Sequence, residues 1–244
     1  MHKPVFHFHH FDSVDSTNSL LSKYLDEVSP SNWTVFSADS QQNGRGQMGT
    51  TWQDEPGANA LMSILTPPIS WPAQRMFDIN MAVSLGIHRA LDFILPIQLK
   101  WPNDLYFNGS KLGGVLIEPS LRGAYAQRVI VGIGINVHQS KWESGVRATS
   151  IALNKPNVPP VEELRKRIAE NVAQSIQVLL DTGKVDKQQY LEHCLGYQTM
   201  QRYSSNQTEF EAKFVDVDER GRQVLLLPSG EKKVFDLKEV KLVL

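Results

Sequence analysis

The stretch from Lys100 to His138 constrains the fold more than any other part of the chain. It opens with "KWPNDLYFNGSKLGGVLIEP" and runs on into "RVIVGIGINVH". Asn108-Gly109 separates the first two strand-like runs, and both residue types tolerate the positive φ of a two-residue hairpin turn. Successive runs joined by short turns predict a mostly antiparallel sheet. The same stretch carries a Trp-Pro turn, an Asn103-Asp104 pair, and the lysines Lys100 and Lys111. Ionised groups are among the costliest things to bury, so charges this close together in a core hairpin call for a functional reason.

Elsewhere the pattern alternates between helix and strand. "DSTNSLLSKYLDE" places Leu20, Leu21, Tyr24 and Leu25 at helical spacing behind the capping types Asp15, Ser16 and Thr17, which predicts a helix from about Thr17. "TVFSADS" and "NALMSILT" read as strands, with the polar, glycine-broken "QQNGRGQMGTTWQDEPG" a loop between them. Met76, Ile79, Val83, Ile87, Leu91 and Ile94 predict a helix from Arg75 to Ile94 with one buried face. Val161, Leu164, Ile168, Val172, Ile176 and Leu179 mark a second such helix. After Gly196 the texture changes to short alternating strands with Gly221 and Gly230 in the turns, about the size of a small barrel. A domain boundary is expected near residue 190, dividing the chain into 1–190 and 191–244.

Composition excludes several classes. With 25 Lys+Arg against 26 Asp+Glu the net charge is -1, so any polyanion site must be local. The single cysteine, Cys194, makes no intrachain disulfide, and the N-terminal stretch lacks the long apolar run of a signal peptide. Cytoplasmic residence is therefore expected. No run approaches the roughly 20 apolar residues of a membrane span.

"GRGQMG" satisfies G-x-G-x-x-G through Gly44, Gly46 and Gly49, but no helix follows it and no acidic residue stands about 20 positions on. A Rossmann site is disfavoured. Arg45, between two of these glycines, has a fork suited to phosphate or carboxylate; the blander reading is an exposed arginine on a flexible surface loop. Gly113 and Gly114 in "KLGG", and Gly132 and Gly134 in "VGIGINV", repeat the pattern of glycines beside polar residues on sheet. Asn136 offers an amide able both to donate and to accept, as an adenine edge requires. The three clusters suggest one shared pocket. His7, His9 and His10 could suggest metal, but their alternation with Phe6 and Phe8 reads as an edge strand with histidines outward, and no metal is expected to be held by the chain.

"DSTN", "GRGQMGTTW", "KWPNDL", "KLGGVLIE" and "GIGINV", in this order, resemble the catalytic domain of biotin protein ligases, and the tail is similar to their small C-terminal SH3-like barrel. The resemblance implies an α+β fold: a mixed, mostly antiparallel sheet flanked by helices, like the catalytic domain of class II aminoacyl-tRNA synthetases. It is to the form whose catalytic domain begins almost at Met1, without an N-terminal helix-turn-helix. It implies activation of biotin by Mg2+ and ATP to biotinyl-5'-AMP, then transfer to a lysine of a biotin carboxyl carrier protein. No specific DNA and no membrane are expected as partners, and a homodimer is left open. Neighbouring alternatives are a lipoyl or octanoyl ligase or transferase of related fold, and a catalytically inactive biotin sensor.

By the same resemblance Lys111, Arg45 and Asp104 are the catalytic residues. Ser16, Thr17, Asn18 and Gln41 line biotin with Gly44, Arg45, Gly46, Trp52, Lys111, Gly113 and Gly114. Arg45, Lys100, Asn103, Lys111, Gly132 and Asn136 hold ATP. A carboxylate attacking an α-phosphate joins two anions, so the site needs cations and amide donors where charge accumulates. A target lysine of ordinary pKa costs about 4.6 kcal/mol to deprotonate at pH 7, and a carboxylate is too weak a base to hold that proton. Asp104 is thus expected to orient the incoming amine. Gln47, Met48 and Thr50 stand where family members often carry arginine, leaving Arg45 as the loop's one guanidinium.

Overall fold

The computed structural model describes residues 4–27 and 30–244, without the side chains of Asp26, Glu27 and Met48. The readings made at Met1 and for the side chain of Met48 lie outside the described residues. In chain order the elements are β1 (Phe6–Val14), α1 (Thr17–Glu27), β2 (Trp33–Gln41), β3 (Asn59–Leu65), β4 (Trp71–Pro72), α2 (Met76–Leu91) and β5 (Gln98–Lys100). There follow β6 (Asp104–Phe107), β7 (Ser110–Arg122), β8 (Tyr125–Asn136), α3 (Ile151–Asn154), α4 (Val161–Thr182) and α5 (Lys187–His193). The C-terminal stretch holds β9 (Met200–Ser205), β10 (Thr208–Val217), β11 (Gln223–Leu226), β12 (Lys232–Phe235) and β13 (Lys241–Leu242).

The larger sheet runs β1-β2-β3-β8-β7-β6-β5, with β4 paired to β8. Every pairing is antiparallel except β1 with β2. That one parallel pair needs a crossover, and α1 supplies it. The helix starts at Thr17 as its sequence predicts, with the Ser16 hydroxyl accepting from the Ser19 amide at 3.5 Å. Asn108 and Gly109 take φ of 47° and 72° at the β6–β7 turn, as the Asn-Gly signal requires. The run "IQLKWPNDLYF" is two strands rather than one, because the cis Trp101-Pro102 turn breaks it and folds β5 against β6. Helix α2 stops at Leu91, three residues short of the predicted Ile94; Ile94 and Leu95 bond back to the Leu91 carbonyl in a turn that still buries both.

One face of the sheet carries the main core. Val131, Ile133 and Ile135 pack there with Ile79, Val83 and Ile87 of α2 and Ile168, Val172 and Ile176 of α4. The opposite face of β8 presents Ile130, Gly132, Gly134 and Asn136, since side chains alternate along a strand. Ile130 joins Leu21, Phe36 and Leu65 in a smaller core beneath α1. Past α1 this face has no large side chain on β8, and a cavity opens there.

A separate five-stranded antiparallel sheet, β12-β11-β10-β9-β13, occupies the stretch where a small barrel is expected. It docks on the first unit through a shared apolar core that includes Tyr203, Phe214 and Val240, and through polar contacts. The Trp101 indole donates to the Gly221 carbonyl at 2.9 Å, the Leu195 amide to the Leu99 carbonyl at 2.7 Å, and Lys187 pairs with Asp216 at 2.7 Å. Phe77 of α2 packs so closely on Gly221 that no side chain fits there. The expectation of outward histidines on β1 holds, since His7, His9 and His10 are exposed, but Phe8 is 47% exposed as well, because β1 is the sheet edge.

Candidate active site

Antiparallel pairing places Lys100 opposite Asp104, and Asp104 opposite Gly114, with a bulge between Leu105 and Tyr106 that brings Lys111 of β7 alongside. The Asp104 carboxylate thus lies between two ammonium groups, 2.6 Å from Lys111 Nζ and 4.0 Å from Lys100 Nζ. Asn103 fixes the turn by donating its side-chain amide to the Val115 carbonyl at 2.6 Å. Burial pulls the Lys100 amine below the usual lysine range; Asp104 opposes this, while Lys111 and Lys241 add to it.

A second group of polar side chains lies at the start of α1, where Ser16, Thr17 and Asn18 are all buried. Gln41 Oε1 accepts from the Thr17 amide and hydroxyl at 2.8 and 3.1 Å. The Ser63 hydroxyl of β3 donates to Asn18 Oδ1 at 2.5 Å and lies 2.7 Å from the Thr17 hydroxyl. The Gln41 backbone N–H donates to Asp54 at 3.3 Å, and burial raises the Asp54 carboxyl above its usual range. Ser63 and Asp54 went unremarked in the sequence, Ser63 because a serine within an apolar strand carries no chemical signature.

Between these groups lies a cavity of about 290 Å³. Among the described residues its charged lining consists of five cations, Arg45, Lys100, Lys111, Lys238 and Lys241, and one carboxylate, Asp104. Two of the lysines belong to the C-terminal sheet and its preceding turn, which also bring Gln223, Leu237 and Val240 to the wall. Nothing in their sequence sets these residues apart. In a chain of net charge -1, this clustering makes the pocket a local attractor for anions.

Of the residues expected at the site, Ser16, Thr17, Asn18, Gln41, Arg45, Gly46 and Trp52 line the cavity, as do Lys100, Asn103, Asp104, Lys111, Gly114 and Gly132. Three do not. Gly44 backs onto the Trp52 carbonyl and Gly113 onto the Gly134 carbonyl, which an added Cβ would approach to 2.7 and 2.6 Å. Asn136 sits buried beside the cavity, its amide donating to the Thr149 carbonyl at 3.0 Å while Oδ1 has no protein partner. Thr149 thus takes one of its two amide hydrogens, and Oδ1 is enclosed rather than open to the cavity. The glycines of β8 border two of the chain's own side chains. The space over Gly132 is filled by the Asn18 amide and the space over Gly134 by the Trp52 indole, whose ring a Cβ would approach to 2.7 Å. They make room for the chain's own side chains.

Among the described residues no group of three or more His, Cys, Asp or Glu could hold a metal ion, and no helix is long and apolar enough to cross a membrane.

The chain is thus an α+β unit with a cation-lined cavity on the open face of its sheet. Residues 10–136 match the Biotin/lipoate A/B protein ligase family, and the chain belongs to it. The bifunctional ligase/repressor BirA of Bacillus subtilis is 26% identical over 253 residues, covering 94% of this chain and 72% of that protein. The biotin–[acetyl-CoA-carboxylase] ligase of Paracoccus denitrificans is 34% identical over 128 residues, covering 51% of this chain and 52% of that protein. In structure the chain is similar to the biotin protein ligase from Aquifex aeolicus in complex with biotin and ATP, with a TM-score of 0.75 and 24% identity over 97% of this chain and 98% of that one; at that identity the likeness speaks for the fold.

Proposed function

We propose that the protein ligates biotin to a lysine of a biotin carboxyl carrier protein, in two half-reactions within this cavity. The observation that carries the reading is a polar cluster, buried Thr17, Asn18 and Ser63 with half-buried Gln41, opening into a cavity lined by five cations. The cluster suits the ureido end of biotin, and the cations suit its carboxylate and the phosphates of ATP. In the first half-reaction a biotin carboxylate oxygen forms a bond to the α-phosphorus and the bond to the bridging oxygen breaks, releasing pyrophosphate. Lys111 and Arg45 offset the charge that gathers there, with Lys100, Asn103 and the lysines of the C-terminal wall along the phosphates. In the second, the amine nitrogen of the acceptor lysine forms the amide bond at the acyl carbon, AMP leaves with the electron pair, and the amine proton passes to solvent. Asp104 orients the incoming ammonium.

The one carboxylate of the cavity already faces two lysines. This donor set fits a Mg2+ that arrives on ATP and keeps its waters rather than one caged by protein; it neutralises phosphate charge when bound. The same reading assigns 1–190 to catalysis and 191–244 to a C-terminal domain of SH3-like type, and expects no specific DNA partner. The Paracoccus relative's name specifies acetyl-CoA carboxylase, which supports a carboxylase carrier as acceptor. The test is pyrophosphate release under Mg2+ and ATP with biotin, lipoate or octanoate. Release with biotin alone is expected; preference for lipoate or octanoate, or release with none, overturns the assignment.

A further inference from the structure

Arg45 is not directed into the reaction cavity by any partner there. Its guanidinium donates to Glu118 Oε2 at 2.7 Å, and Glu118 lines a second cavity, between α1 and β7, rather than the first. Arg45 borders both. The same Glu118 oxygen accepts from Asn18 Nδ2 at 2.7 Å, and Asn18 continues through Ser63 and Thr17 to Gln41. A hydrogen-bonded chain thus runs from the polar end of the reaction cavity to the guanidinium, with one carboxylate oxygen shared by Asn18 and Arg45. Both partners of the ion pair are partly solvated, and such pairs are weak. A phosphate offering two oxygens to the fork competes well with that hold.

We propose that Glu118 is a positioning residue for Arg45: it holds the guanidinium on the far side of the site until nucleotide phosphate draws it across. The inference rests on the proposed ligase activity. Removing the negative charge frees Arg45 before nucleotide arrives, so Glu118→Gln tightens binding of a non-hydrolysable ATP analogue. Loss of an acid near a phosphate site does this by long-range attraction as well, and a double-mutant cycle separates the two effects. The dissociation constant is measured for wild type, Glu118→Gln, Arg45→Ala and the double variant. Tightening of several-fold by Glu118→Gln that vanishes in the Arg45→Ala background is expected, with Glu118→Asp returning it toward the wild-type value. Equal tightening in both backgrounds, no change, or weakening overturns the proposal. Thermal melting of each variant identifies a weakening that comes from lost structure, in which case Glu118 is structural and the proposal fails too. Wild type that releases pyrophosphate with biotin yet shows no coupling between residues 45 and 118 sinks the positioning role alone. Wild type without biotin-dependent release removes the ligase reading and this inference with it.

Discussion

In the proposed reaction Lys111 brings a cation to the point where two anions must meet, with Asp104 as its one close counter-charge among the described residues. Lys111→Ala is expected to reduce biotin-dependent pyrophosphate release by at least about 100-fold, the usual scale for a lost charge-stabilising donor, while the melting temperature stays close to wild type. Asp104→Asn should slow transfer to the carrier more than adenylation, and timing the two half-reactions separately checks this. Gly132→Ala puts a methyl group into the Asn18 amide; a cost of about 1–3 kcal/mol in a denaturant titration is expected for such overpacking, with biotin affinity falling more than ATP affinity. Lys111 and Asp104 were legible at this scale as charges in a hairpin, whereas Gln41 was reached only through the family resemblance. Glu118 was not, because within "GGVLIEP" it looks like a strand residue, and only the pairing of β7 with β8 brings it to Asn18 and Arg45.

Helices α2 and α5 meet through a pair of imidazoles, His88 and His193, stacked with ring centroids 3.7 Å apart. Burial and the neighbouring His193 push His88 below its ordinary pKa, with Arg89 adding slightly and Asp92 and the Ile97 backbone opposing. The folded state therefore binds fewer protons than the unfolded one as pH falls through the ordinary histidine range, near 6.5. This contribution to stability is complete above that range and is lost as pH falls toward the depressed native value. Unfolding midpoints measured at about pH 7.5 and pH 5.5 should drop on acidification, and the drop should shrink in His88→Gln. Element by element, the strongest local signals were reliable: the Asn108-Gly109 turn, the capped start of α1 and the long stripe of α4. The parallel pairing of β1 with β2 carried no signal, because neither strand's pattern records which neighbour it takes or in which direction.

The two sheets are fastened at the motif that also builds the cavity floor, since Trp101 lies between Lys100 and Asp104 and donates to Gly221 across the junction. Trp101→Phe removes that bond and leaves the carbonyl without its partner. Because Lys238 and Lys241 reach the cavity from the far side of this junction, the KM for ATP should rise several-fold with a smaller change in kcat, read from initial rates at saturating biotin. This wall was beyond the reach of the sequence, for it depends on residues more than 100 positions apart in the chain meeting, and no local pattern encodes such a meeting. The indole of Trp52 resting on Gly134 has a kinetic corollary. Whatever ligand group is to lie against that glycine must wait for the ring to leave, so apparent affinity is the intrinsic affinity scaled by the fraction of molecules with the ring displaced. At high ligand concentration the observed binding rate should then stop climbing and level off at the speed with which the indole departs.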